Sequence, residues 1–248
     1  MFKGFYNLTS GMLTQNKNLN VISNNLANVS TTGYKADTMV SGTFKDEMMS
    51  RTANNILGAQ AELGNTSMIT VPYETITNFE AGGWENTGSP LDFAINGNGF
   101  FEVQSDEGTV YTRNGSFILD NEGYLTLQGV GRVNGTNGSI RIDADDFSVD
   151  QTGNIYSNTG QLISKIKVVD FADYAALTKV GEGLFTGGGQ GVDSDATVLW
   201  EYIETSNVDA AQEMTAMLVS QRALQSAAQV LKMYDALAAK AATEIGRV

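Results

Sequence analysis

The stretch SNVDAAQEMTAMLVSQRALQSAAQVLKMYDALAAKAATEI, residues 206–245, contains neither glycine nor proline and repeats its apolar residues every three or four positions. Met214, Met217, Gln221, Leu224, Ala228, Leu231, Asp235, Ala238, Ala242 and Ile245 keep that rhythm, and Leu218, Val230, Tyr234 and Leu237 widen the apolar face. Ser206, with Asp209 three residues later, reads as a capping box at the start. Unbroken from Asn207 to Ile245, the helix would reach roughly 58 Å at about 1.5 Å per residue. That length exceeds the span of a small globular domain.

The other end of the chain carries the same signal. Phe5, Leu8, Met12, Gln15, Leu19, Ile22 and Leu26 alternate spacings of three and four, the seam of a coiled coil, and only Gln15 is polar. Uncharged polar residues dominate the rest of the surface. The helix is expected to stop near Asn28, where Val29, Thr31 and Thr32 precede Gly33. Each terminal stripe leaves Leu, Ile and Met side chains in need of a partner, since exposure forfeits roughly 1.5 to 3 kcal/mol apiece. The stripes must therefore pair with each other, with other subunits, or with both.

Between the ends the pattern changes. Of the 27 glycines, 21 lie between Gly64 and Gly191. Leu91–Ile95, Phe100–Gln104, Val110–Arg113, Ser116–Leu119 and Tyr124–Leu127 alternate with Asn-Gly and Asp-Asn-Glu-Gly turns, and further strands are expected at 139–142, 155–156 and 163–171. The expected fold is α+β: long N- and C-terminal helices forming a coiled-coil inner layer, with a central antiparallel β domain. Residues 1–35 and 204–248 form the helical part and residues 75–203 the β domain. Residues 36–74 are read as an extended arm or linker, with 37–50 open to either helix or extended chain.

Composition removes several functions. The chain has no cysteine and no histidine, so disulfides, the usual zinc sets and Ser-His or Cys-His nucleophiles are absent. Its 15 basic against 28 acidic residues give a net charge of −13, which disfavours nucleic acid and anionic membranes. No apolar run approaches the roughly 20 residues of a membrane helix, so no stable membrane insertion is expected. The N-terminus turns polar by Thr14, without the apolar core of a signal peptide, so export is expected to use a route that cleaves no conventional leader.

Three blocks carry a family resemblance. Residues 23–35, Ser-Asn-Asn-Leu-Ala-Asn-Val-Ser-Thr-Thr-Gly-Tyr-Lys, resemble the basal-body rod signature of the axial proteins of the bacterial flagellum. Residues 90–103 and 111–117 resemble the start of the β domain in rod and hook proteins. Glu204 to Asp209, then Glu213-Met214 and Ser220–Ala223, resemble the opening of their C-terminal helix. The sequence departs at Leu224-Gln225, where the family carries an aromatic residue and a glutamate.

The resemblance implies a structural subunit of the flagellar rod, located in the basal body and polymerising through its terminal helices into the axial drive shaft for motility. It implies no enzyme activity and no cofactor. The implied partners are other copies of the chain, adjacent rod and hook subunits, and the flagellar type III export apparatus. The region after Gly129 is closer to a proximal than to a distal rod subunit. With the apolar stripes, the resemblance makes Phe5, Leu8, Met12, Leu19, Ile22, Asn24, Asn25, Leu26, Asn28, Gly33 and Tyr34 the expected subunit interface at one end. At the other it selects Met214, Met217, Gln221, Leu224, Leu231 and Tyr234.

Other readings of the same residues are weaker. Asn24, Asn25, Asn28 and Gly33 also suit ordinary helix-end chemistry. Asp143, Asp145, Asp146 and Asp150 suggest a calcium loop but lack the EF-hand glycine and glutamate, so a solvated turn is expected. Hook or hook-associated subunits share the motif blocks. A carboxylate-pair cell-wall hydrolase has many acids to draw on but no pair set apart from surface charge. A β-rich adhesin shares the helical ends but not the three ordered blocks.

Overall fold

The computed structural model describes residues 2–43, 46–51, 61–67, 70–142, 147–181, 183–189 and 191–245. The chain divides into two compact units, one of Met1–Leu26, Asp37–Thr77 and Ala210–Val248, the other of Ala27–Ala36 and Asn78–Asp209. Among the described residues, two α-helices and mostly antiparallel strands make the chain α+β.

The first unit contains the helices. Helix α1 runs Phe2–Ala27 and ends where the β-branched run begins. Helix α2 runs Ala210–Ile245. It starts later than the Ser206 capping box suggests, because the Ser206 hydroxyl accepts from the Val208 amide at 3.3 Å and closes a local turn instead. The same unit holds an antiparallel pair, Asp37–Thr43 with Thr70–Thr77, followed by Asp46–Arg51 with Ala61–Ser67. In the first pair the register shifts between Val40, opposite Glu74, and Ser41, opposite Pro72. The shift places Pro72, which has no amide hydrogen to donate, at a bulge.

The second unit is built around the strand Phe100–Ser105. One edge pairs with Gly108–Thr112, while the other is shared by Val168–Asp170 near Phe100 and by Gly131–Gly135 near Val103. Adjacent residues on a strand face opposite ways. Phe101 accordingly enters a large apolar cluster with Phe93, Val103, Phe117, Leu125 and Ile166. Phe100 enters a second cluster with Phe171, Phe185, Phe79 and Tyr174. Burying each such ring contributes roughly 1.5 to 3 kcal/mol.

The expected strands at 91–95 and 100–104 are present as Phe93–Asn96 and Phe100–Ser105, but they do not pair with each other. Phe93–Asn96 pairs with Thr197–Trp200. The intervening Gly97 and Gly99 take φ values of 126° and 123°, and a Cβ on Gly99 would lie 2.8 Å from Val168 Cγ1. This close approach, open only to glycine, sends the chain onward to a different neighbour rather than back on itself.

Of the aspartates read as a possible calcium loop, Asp143, Asp145 and Asp146 lie outside the described residues. Asp150 closes a turn: its carboxylate accepts from the amides of Thr152 and Asn154, both at 2.9 Å, and from the Thr152 hydroxyl at 2.7 Å. Among the described residues, no helix is long and apolar enough to cross a membrane.

Candidate assembly surface and the buried charge cluster

Glu204 ends the strand Tyr202–Glu204, which pairs with Trp84–Asn86, and its side chain is fully buried. One carboxylate oxygen accepts from Lys35 Nζ at 2.6 Å and from the Gly82 amide at 3.0 Å. The other accepts from an Arg113 guanidinium nitrogen at 3.1 Å. Two cations therefore face one anion inside the protein. Backbone carbonyls take further donors: Lys35 Nζ also donates to Glu80 at 2.7 Å, and Arg113 to Gly97 at 2.8 Å, while Arg113 Nε has no hydrogen-bond partner among the described residues. The guanidinium carbon lies 5.4 Å from the centre of the Phe100 ring. Burial pulls the Lys35 ammonium below the ordinary lysine value, and the facing Glu204 carboxylate offsets part of that shift.

The residues around the cluster are held by backbone constraints. Gly33 has φ 66° and donates its amide to the Glu204 carbonyl at 2.8 Å. A Cβ there would lie 2.3 Å from the Arg113 carbonyl carbon. Tyr34 is buried, and Lys179 Nζ sits 4.1 Å from its ring centre while donating to the Lys35 carbonyl at 3.0 Å. Asn207 accepts from the Ala36 amide at 2.8 Å and donates to the carbonyls of Asn78 and Glu80 at 2.9 and 3.0 Å. Asn28 accepts from the Thr31 amide at 3.1 Å and the Thr31 hydroxyl at 3.0 Å.

Within the first unit, contacts connect the two helices at three levels. Asn25, buried, donates to Glu213 at 2.8 Å, while its amide group exchanges hydrogen bonds with the backbone of Asp37. Asn18 donates to the Ser220 hydroxyl at 3.2 Å. A Cβ on Gly4 would lie 2.8 Å from the Tyr234 hydroxyl, so glycine is what lets the chains approach there. Each step back along α1 matches an equal step forward along α2, first of one heptad and then of two, so the helices run antiparallel.

The expected interface residues separate by exposure. Ile22, Asn25, Asn28, Gly33 and Tyr34 are buried within the chain. Leu8, Met12, Leu19, Leu26, Met217, Leu224, Leu231 and Tyr234 are half-buried, while Phe5, Asn24, Met214 and Gln221 are exposed. The helices expose further large apolar residues: Tyr6 and Leu13 on α1, and Leu218, Val219, Met233 and Leu237 on α2. Leu218 and Leu237 are visible in the sequence as flanks of the stripe. Tyr6, Leu13, Val219 and Met233 lie off the strict three-four spacing and escape that reading.

Three family models match the chain: the flagella basal body rod protein over residues 5–35, the flagellar hook protein FlgE/F/G D1 domain over 94–157, and the flagellar basal body rod FlgEFG protein C-terminal over 201–244. The flagellar basal-body rod protein FlgG of Bacillus subtilis is 34% identical over 95% of this chain and 96% of its own length. The chain belongs to the flagellar basal-body rod protein family. The FlgG protein of Agrobacterium fabrum is 32% identical over 92% of this chain and 94% of its own. The rod protein FlgF of Caulobacter vibrioides is 29% identical over 96% of each. In this rod-family chain, Lys35, Arg113 and Glu204 each fall in a different one of the three matched regions, and folding brings them to a single buried point.

Proposed function

We propose that this chain is a structural subunit of the flagellar rod that polymerises through its terminal helices into the axial drive shaft, and that it is not an enzyme. The carrying observation is the apolar surface left on both helices after they have bonded to each other. Tyr6 and Leu13 are 63% and 58% exposed, and Leu218, Met233 and Leu237 are 57%, 58% and 61% exposed. Exposed apolar residues grouped on one element mark a surface that is covered in use. Family membership supplies the partners: further copies of this chain and adjacent rod or hook subunits. The heptad-spaced contacts between α1 and α2 support a coiled-coil inner layer.

Residues 1–35 and 204–248 then act as the polymerising part, residues 75–203 as the β domain and residues 36–74 as the arm joining them. Delivery through the flagellar type III apparatus places the subunit in the basal body. The chain has no role in binding nucleic acid and does not insert stably in a membrane.

Leu218→Asp and Leu237→Asp test this reading, because each places a charge on exposed apolar surface without disturbing the chain's own core. Both proteins are expected to fold with unchanged stability, yet fail to sediment as assemblies and fail to restore swimming in a strain lacking the gene. Normal motility with both changes would refute assembly through the helices.

A further inference from the structure

The charge of this chain is unevenly divided. Of its 15 basic and 28 acidic residues, eight of each fall in the helical unit, which is therefore neutral; seven basic and twenty acidic residues remain in the β unit, which carries the whole −13. Four of those seven cations, Lys35, Arg113, Arg132 and Lys167, are already in ion pairs with the β unit's own acids. Glu85, Asp106, Glu107 and Asp195 stand exposed.

We propose that the β unit is an electrostatic brake on self-assembly, so that copies of this chain join through the neutral helical unit only when charge on their β units is screened. The inference rests on the self-assembly proposed above and adds its regulation. Large net charge of one sign keeps proteins apart in solution, whereas a neutral surface with exposed Leu218, Met233 and Leu237 presents no such barrier to a second copy. Neighbouring β units repel over a range set by the Debye length, which is about 30 Å at 0.01 M salt and about 10 Å at 0.1 M. The brake is therefore tight in dilute salt and slack at moderate ionic strength. A surface ion pair joining copies has the opposite dependence and weakens as salt rises.

Sedimentation of the purified full chain measures the critical concentration for assembly at about 20 mM and about 300 mM NaCl, conditions on either side of that change in screening. The expected result is a fall of about tenfold or more in the higher salt. A variant carrying Glu85→Lys, Asp106→Lys, Glu107→Lys and Asp195→Lys changes the net charge from −13 to −5. At the lower salt it is expected to assemble at a critical concentration at least about fivefold below that of the unaltered chain. Gln and Asn at the same four positions give half the charge change and serve if the lysine variant does not fold.

A critical concentration that is constant or rises with salt overturns the brake and leaves assembly through the helices standing. So does a folded charge variant that behaves like the unaltered chain at low salt. Absence of assembly by every protein at every salt concentration overturns self-assembly and the brake together.

Discussion

Lys35 and Glu204, 169 positions apart in sequence, meet at 2.6 Å with both side chains shielded from water. Arg113 approaches the same carboxylate from a third region of the chain. Such a group is worth little relative to an apolar replacement of the whole set, but removing one partner leaves a buried charge uncompensated.

Glu204→Gln keeps the shape and removes the charge that faces Lys35 and Arg113. It is expected to destabilise the β unit by about 3 to 5 kcal/mol. The control, Glu107→Gln on an exposed turn, is expected to stay within about 0.5 kcal/mol. Both tryptophans, Trp84 and Trp200, lie in the β unit, so urea unfolding followed by tryptophan fluorescence reports on that unit alone. A loss below about 1 kcal/mol for Glu204→Gln contradicts the assigned geometry.

Gly33→Ala introduces a Cβ into space occupied by the backbone of Arg113 and Asn114, at a φ of 66° that alanine resists. Backbone atoms cannot swing aside as a flexible side chain can. The expected loss exceeds about 1 to 2 kcal/mol, the cost of the left-handed conformation by itself, and is read from the same unfolding curve. Gly129→Ala is the comparison: its φ of 74° imposes similar conformational strain, but nothing lies within 4 Å of the added carbon. Equal losses at the two sites would show that the Arg113 contact is irrelevant.

Asp150 gives a dependence on pH. Burial raises its pKa, but hydrogen bonds from Thr152 and Asn154 together outweigh burial and hold the carboxyl well below the usual aspartate range. A folded-state pKa below the unfolded value contributes stability that is present above about pH 4 and is lost as pH falls through the folded value. Asp150→Asn is therefore expected to cost most at neutral pH, with the difference from the unaltered chain narrowing as pH falls below about 4. Unfolding midpoints measured at pH 7, 4 and 3 check this, and a difference that widens with acid has the wrong sign.

The helices and the order of short strands were legible because their causes are local. The spacing of Leu8, Met12, Leu19 and Ile22 marks one face of α1, and paired glycines punctuate the strands on either side of Phe100. Partner choice was less legible. Nothing near Phe93 announces Thr197–Trp200 as its neighbour, since the two strands are about a hundred residues apart and only the folded chain brings them together. The pairing of Asp37–Thr43 with Thr70–Thr77 was hidden for a similar reason, its two strands being far apart and only weakly apolar. Gly33, Tyr34 and Lys35 stood out through the motif they share. Their buried carboxylate partner did not, because in sequence Glu204 looks like any other acid in an acidic protein.

The ion pair that brackets the β unit also sets when that unit can be finished. Lys35 precedes all of its described strands and Glu204 closes the last one. A polypeptide supplied end-first, in either direction, presents one member of the pair long before the other. Until the late member appears, the early one remains solvated and the loop between them open; closing that loop has an entropic cost that grows only slowly with its length. Final closure of the pair therefore waits for the last segment of the chain to be present.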